Sequence, residues 1–264
     1  MPDPLLEARA LTRRFGGGRR LFGRAREGFV AVDGVTLALA RGETLGIVGE
    51  SGSGKSTLSR MLVGLAIPSE GTVGLDGAAL DLRRGRDRRR LQRRVQMVFQ
   101  DPASAMNPRK TVGASVAAPM VGLTDWNAER RRARVGELLE VVGLRADHAS
   151  RHPHEFSGGQ LQRIGIARAL AAEPDIVVLD EPVSALDVSV QAQVLALLRR
   201  LREERGLAMI FVSHDLAVVE QLCDRVAVMR RGRVVEEGDC RTVFSAPSDG
   251  YTKELVAAAR RFTT

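Results

Sequence analysis

Gly49-Glu50-Ser51-Gly52-Ser53-Gly54-Lys55-Ser56-Thr57 is the stretch from which the rest of the sequence can be read. It satisfies G-x-x-x-x-G-K-[ST] at every fixed position. The apolar run Thr44–Gly49 before it reads as a buried strand ending in glycine. After it, Leu58, Met61, Leu62 and Leu65 recur at helical spacing, which predicts a helix over Lys55–Leu65. Strand, glycine loop and helix in that order form a phosphate cradle. Glycines let the backbone curl so that successive N–H groups face the phosphates. The helix adds the positive end of its dipole. Lys55 is placed to neutralise the β and γ phosphates of a nucleotide, and the Ser56 hydroxyl to ligate Mg²⁺.

Working outward, Val95–Phe99, Ile176–Leu179 and Leu207–Val212 are further short apolar runs, each read as a buried strand. Helical patterns fall at Ala128–Val142, Leu161–Ala171, Val188–Arg205 and Leu216–Leu222. Val226–Met229 and Arg233–Val235 read as a hairpin turning at Arg231-Gly232. Buried strands alternating with helices predict a mostly parallel α/β sheet covered on both faces. The stretch 101–156 breaks that rhythm and reads as a mainly helical insertion. Asp180 and Glu181 emerge at the C-terminal end of the Ile176–Leu179 strand, where ligands of open parallel sheets gather. Asp180 suits a hard cation, and Glu181 is the candidate to polarise an attacking water.

Composition narrows the classes. With 264 residues, 44% hydrophobic and 27% charged, the chain can bury a sizeable core. It contains no apolar run of the ~18 residues that suggest a membrane span. The start Met1-Pro2-Asp3-Pro4 lacks a secretory pattern, so a cytoplasmic location is expected. Cys223 and Cys240 fit no metal-ligand spacing and read as reduced thiols in or near a core. The net charge is +8, and of 40 basic residues only Lys55, Lys110 and Lys253 are lysine. The arginines concentrate at 83–94 and 130–134. No aromatic residues interleave with them as stacking platforms would require, so these stretches read as solvated faces and no nucleic acid is expected.

Ser157-Gly158-Gly159-Gln160 stands before a helix, with Ser157 suited to N-cap it and the glycines leaving N–H groups open, which makes a second anion site. One chain has a single γ-phosphate to coordinate, so a second phosphate-reading motif implies a second subunit. With this motif the sequence resembles the nucleotide-binding subunit of an ABC transporter over nearly its whole length. Gln100 matches the family's Q-loop glutamine, which contacts Mg²⁺ and the attacking water. Ser157 to Gln160 match the signature motif, Ser184-Ala185-Leu186-Asp187 the D-loop, and His214 the switch histidine that holds the γ-phosphate. The resemblance implies a P-loop NTPase core with a mostly parallel sheet, an antiparallel β subdomain and an inserted helical subdomain. It implies one nucleotide-binding domain over 1–264, with its core in 1–100 and 157–235, the helical subdomain in 101–156 and a C-terminal segment in 236–264. Two subunits would pack head to tail around ATP, with Asp187 at their interface, and MgATP would be hydrolysed. Phe15 best fits the aromatic residue that stacks on adenine, with Phe22 and Phe29 as alternatives.

A finer resemblance is to the peptide and nickel importers. It rests on Asp101-Pro102-Ala103-Ser104-Ala105-Met106-Asn107-Pro108-Arg109, on Pro153-His154-Glu155-Phe156, on Asp180 to Ser189 and on His214 to Val219. Asp249-Gly250-Tyr251-Thr252-Lys253 is a partial match to that branch's H-P-Y-T-K. The branch implies a second cassette, identical or different, separate membrane permease subunits, an external solute-binding protein, and a place on the cytoplasmic face of the membrane. No iron–sulfur cluster is expected, because the cysteine cluster of some members is lacking. The competing class is a soluble ABC ATPase acting on nucleic acid or the ribosome. Those typically carry two cassettes or a long insertion, and this chain has one cassette.

Overall fold

The computed structural model describes residues 4–16 and 28–261. The chain folds as two compact units, Met1–Leu91 with Phe211–Thr264, and Gln92–Ile210. The first begins with strands β1 (Leu6–Phe15), β2 (Phe29–Leu39) and β3 (Thr44–Val48), helix α1 (Lys55–Leu62), and strands β4 (Glu70–Leu75) and β5 (Ala78–Leu80). Helix α2 (Gly85–Arg94) carries the chain into the second unit, which holds β6 (Val95–Val98), α3 (Val112–Leu123), α4 (Ala128–Val141), α5 (Gly158–Leu170), β7 (Ile176–Asp180) and α6 (Val188–Arg205). Strand β8 (Ala208–Val212) leads back to α7 (Leu216–Leu222), β9 (Arg225–Arg230), β10 (Arg233–Asp239), α8 (Cys240–Ser245) and α9 (Gly250–Arg261).

In the first unit β2, β1, β4 and β5 form an antiparallel sheet in that order. Beside it in sequence, β3 pairs parallel with β9, and β9 antiparallel with β10. All five residues of β3 are buried, which is why its sequence is an unbroken apolar run. The β9–β10 turn runs through Arg231 (φ 48°) and Gly232 (φ 83°), the doubly left-handed geometry of a tight hairpin. Helix α1 stops three residues before the expected Leu65. Gly64, at φ 71°, takes the left-handed conformation that ends helices, and Leu65 is left 54% exposed. Among the described residues neither Cys223 nor Cys240 forms a disulfide; both are buried, and burial pushes the Cys240 thiol up to about 12.

In the second unit β6 and β7 are parallel and fully paired from Val95–Ile176 to Val98–Leu179. The Asp175 N–H donates to the Arg94 carbonyl at 3.0 Å, and the Arg94 guanidinium bonds the Asp175 carboxylate, tying the two strand entrances together. The segment 101–156 is helical, with α3, α4 and two short 3₁₀ turns at Ala146–Ser150 and Pro153–Glu155. Asn127 caps α4 by accepting from Arg130 N at 2.8 Å, and the Arg130 guanidinium lies 4.1 Å over the Trp126 ring. After Gln100 the chain turns on Asp101, whose Oδ1 accepts from the N–H groups of Ala103 and Ser104. Half-buried Arg168 then holds this turn by donating to the Ala105 carbonyl at 2.6 Å. Among the described residues no helix is long and apolar enough to cross a membrane.

Candidate functional site

The phosphate loop belongs to the first unit. Gly49, Gly52 and Gly54 have φ of 145°, 79° and 106°, conformations that side chains rarely take. A Cβ on Gly49 would stand 2.2 Å from the Met229 carbonyl oxygen, and one on Gly54 2.3 Å from that of Ala31. The loop therefore needs glycine twice over, for its turn and for its seat against neighbouring backbone. It is pinned by Ser53 N donating to Glu50 O (3.2 Å), Gly232 N donating to Ser53 O (2.9 Å) and Glu50 N donating to the Tyr251 hydroxyl (3.0 Å). Lys55 is 5% exposed, and its ammonium donates to the carbonyls of Gly49 (2.7 Å) and Glu50 (2.8 Å). Helix α1 has no side-chain cap, so its first N–H groups are not taken by a side chain at its N-cap, Gly54.

The loop fits a polyphosphate. Ser53 is 6% exposed, and its Oγ has no hydrogen-bond partner among the described residues although buried polar atoms are ordinarily satisfied. A buried hydroxyl without a partner and helix-entrance amides without a side-chain cap, beside a buried ammonium that carbonyls hold in place, suit an anionic oxygen. Ser56 and Thr57 follow on the first turn of α1, half-buried, and Ser51 is exposed on the loop.

Also in the first unit, Phe15 and Phe29 face each other across β1 and β2 as register partners. They are 45% and 65% exposed, and the Arg13 guanidinium lies 4.8 Å over the Phe15 ring. Phe22, the third aromatic candidate, lies outside the described residues. His214 is exposed just after β8, on a turn where Ser213 N donates to Ile47 O (3.2 Å) and Asp215 caps α7 by accepting from Ala217 N and Val218 N.

The second unit holds the acidic strand end and the glycine turn. Asp180, the last residue of β7, is 5% exposed. Glu181 follows with φ 48°, a left-handed conformation uncommon for a residue with a side chain. Its carbonyl accepts from the Ser184 hydroxyl at 3.1 Å, and its carboxylate accepts from the Gln100 side-chain amide at 3.0 Å. Two residues that are 81 apart in sequence thus meet as a polar pair. Asp187 caps α6, and hydrogen bonds from Val190 N and the Ser189 hydroxyl hold its carboxyl below the usual carboxylate range.

Ser157 caps α5 in a closed box: Gln160 N donates to Ser157 Oγ (3.4 Å) and Ser157 N donates to Gln160 Oε1 (3.0 Å). The helix accordingly starts at Gly158, three residues before the expected Leu161. A Cβ on Gly158 would meet nothing within 4 Å, but one on Gly159 would lie 2.3 Å from Val190 Cγ1. Gly159 is thus fixed by packing against the first turn of α6, which Asp187 caps. Sequence reading did not single out Val190 or the Tyr251 contact with Glu50. The latter spans 201 residues, and no local pattern encodes a bond of that reach.

The model of the family described as ABC transporter matches residues 32–184. The putative oligopeptide transport ATP-binding protein YkfD of Bacillus subtilis is 47% identical over 256 residues, covering 97% of this chain and 76% of that protein. The dipeptide transport ATP-binding protein DppF of Haemophilus influenzae is 46% identical over 261 residues, covering 98% and 79%. Among solved structures, the dimeric post-hydrolysis state of the ATP-binding cassette MJ0796 bound to ADP and Pi superposes with a TM-score of 0.76 at 31% identity, covering 89% of this chain and 99% of that one. Similarity of this extent, carried along nearly the whole sequence, makes the chain a member of the ABC transporter family and one of its ATPases.

Proposed function

We propose that this ATPase energises the uptake of peptides through membrane permease subunits, and that it works on the cytoplasmic face as half of a head-to-tail cassette dimer. The observation that carries the hydrolytic reading is the Gln100–Glu181 pair, in which a side-chain amide orients a carboxylate at a strand end. Glu181 takes the proton of the attacking water as general base, and Gln100 keeps its carboxylate in position. Lys55, Ser53 and the amides of residues 49–57 bind the β and γ phosphates of ATP, and His214 steadies the γ-phosphate. Phe15, exposed beside Phe29, stacks on the adenine. Ser56, behind the loop lysine, and Asp180, a buried carboxylate, are the oxygen donors assigned to Mg²⁺, with Gln100 close to it in function. When bound, Mg²⁺ supplies neutralisation of the phosphate charge.

Ser157, Gly158, Gly159 and Gln160 are assigned to the γ-phosphate held by a partner subunit, with Asp187 at the same interface. In support, the Ser157 cap leaves Gly158 with open space around it. The sheet core is assigned to 1–100 and 157–235, the permease-facing helical subdomain to 101–156, and the remainder to a C-terminal segment. The cargo class follows the relatives, whose names specify oligopeptide and dipeptide transport. These names speak for transport and not for the nucleic-acid alternative.

Affinity isolation of the tagged chain from its native membrane tests the assembly. Multi-span permeases and a cassette partner should co-purify, and recovery of ribosomes or DNA alone overturns the transport reading. Because a positioned base contributes about 10²–10⁴-fold, Glu181→Gln should lose turnover by that factor while retaining ATP binding. Unchanged turnover removes Glu181 from the role.

A further inference from the structure

The peptide group between Gly49 and Glu50 is held at both of its polar ends. Its carbonyl oxygen, on Gly49, accepts from the Lys55 ammonium at 2.7 Å. Its N–H, on Glu50, donates to the Tyr251 hydroxyl at 3.0 Å. Gly49 sits at φ 145° and has no Cβ, so the peptide plane that follows it keeps a freedom to turn that a side chain would remove. Turning it over would exchange the directions of its donor and its acceptor.

The tyrosine is built to hold still. It is the only tyrosine of the chain and is 4% exposed. The Arg230 guanidinium lies 4.6 Å over its ring. Its own N–H donates to Asp249 Oδ1 at 2.8 Å, fixing the start of α9. That start is in turn fastened to β10: Glu236 accepts from Ser248 N (2.8 Å), Ser248 Oγ (2.7 Å) and Asp249 N (3.2 Å). Burial alone would raise the Glu236 carboxyl, but hydrogen-bond donors outweigh it and hold it at about 2.

We propose that Tyr251 is a positioning residue for the phosphate loop, locking the Gly49–Glu50 peptide in the orientation that nucleotide binding requires. The inference rests on the assignment of residues 49–57 to phosphate binding. Under that assignment Lys55 leaves the loop carbonyls for the phosphates, and the Tyr251 bond is then the remaining hold on this peptide. The C-terminal helix thereby becomes part of the nucleotide site without touching nucleotide. A preorganised loop binds more tightly because less ordering is left to the binding step.

The test uses the full chain and Tyr251→Phe, which keeps the ring under Arg230 and removes only the hydroxyl. A net hydrogen-bond contribution predicts affinity for a fluorescent ATP analogue weaker by about two- to tenfold. Without nucleotide, hydrogen exchange at the Glu50 amide should accelerate, the thermal midpoint should fall by no more than about 2–4 °C, and kcat at saturating ATP should be retained with a raised KM. Unchanged affinity, or a lowered midpoint with unchanged Glu50 exchange, overturns the proposal. Lys55→Ala separates it from the reading beneath. If Lys55→Ala abolishes nucleotide binding while Tyr251→Phe leaves affinity intact, the lock alone is wrong. If Lys55→Ala binds ATP normally, the phosphate-loop assignment falls and the lock falls with it. Exchange at Glu50 in the nucleotide-free double variant should exceed that in either single variant, and equality with Lys55→Ala alone also overturns the lock.

Discussion

The phosphate loop of the first unit and the signature turn of the second both place glycines at the entrance of a helix, and they use them for different ends. At Gly49 and Gly54 the backbone is left-handed and seated within van der Waals reach of neighbouring carbonyls. Gly158 and Gly159 keep φ outside that region, and only Gly159 is crowded, by a side chain. Helix α1 begins without a side-chain cap, whereas α5 begins with a closed capping box. The first turn uses its glycines for curvature and leaves the amides at its helix entrance without a side-chain cap. The second satisfies itself through Ser157 and Gln160 and uses the absence of Cβ for closeness and openness. A glycine-rich stretch before a helix is therefore not one device, and the two kinds respond differently to alanine.

The largest effect is expected at Gly49. Gly49→Ala combines a strained φ with a backbone clash that no rotamer change can relieve, so nucleotide affinity should fall by more than about tenfold, each 1.4 kcal/mol being a factor of ten. Normal affinity, measured with a fluorescent ATP analogue, breaks the comparison at its root. Gly159→Ala should cost about 1–3 kcal/mol of stability through overpacking. Its clash is with the methyl of Val190, so Val190→Ala in the same chain should restore most of the loss in a denaturant titration. Failure of that rescue would mean that the glycine answers to something other than α6. Ser157→Ala should cost about 1 kcal/mol through the lost cap, seen as a lowered thermal midpoint. The smallest effect belongs to Gly158→Ala, with open space and an ordinary φ. Stability should be unchanged or raised by about 0.4–1 kcal/mol. A clear loss would show that the signature turn is as demanding as the phosphate loop.

How far the sequence could be read differs between the same regions. The β3–loop–α1 unit was legible because a buried parallel strand leaves an unbroken apolar run and the loop chemistry leaves glycines and lysine at fixed spacing. Helices α6 and α7 were legible to the residue: Asp187 and Asp215 cap them, and Gly206, at φ 61°, ends α6. The resemblance implied an antiparallel β subdomain, but its strands were hidden in the residue pattern. Strand β1 carries Ala10 at φ 49° amid register shifts against both neighbours, so its side chains do not alternate cleanly. Helix α3 was masked by Pro119 inside it. Helix α2 buries only Leu91 and so looked like a run of charge. Within the site, residue identities were legible from motif order, but the Gln100–Glu181 and Glu50–Tyr251 bonds were not, since each joins chemistry brought together only by the fold.

One consequence of the Trp126–Arg130 stack is optical. Trp126 is the sole indole of the chain, and it lies beneath a guanidinium at the start of α4. Emission excited at the red edge of aromatic absorption therefore originates from a single address, in the 101–156 helical segment, against a background that holds no other indole. If the proposed permease docks near α4, it would disturb that stack and register as a change in colour or lifetime, and the unlabelled protein would carry its own docking probe.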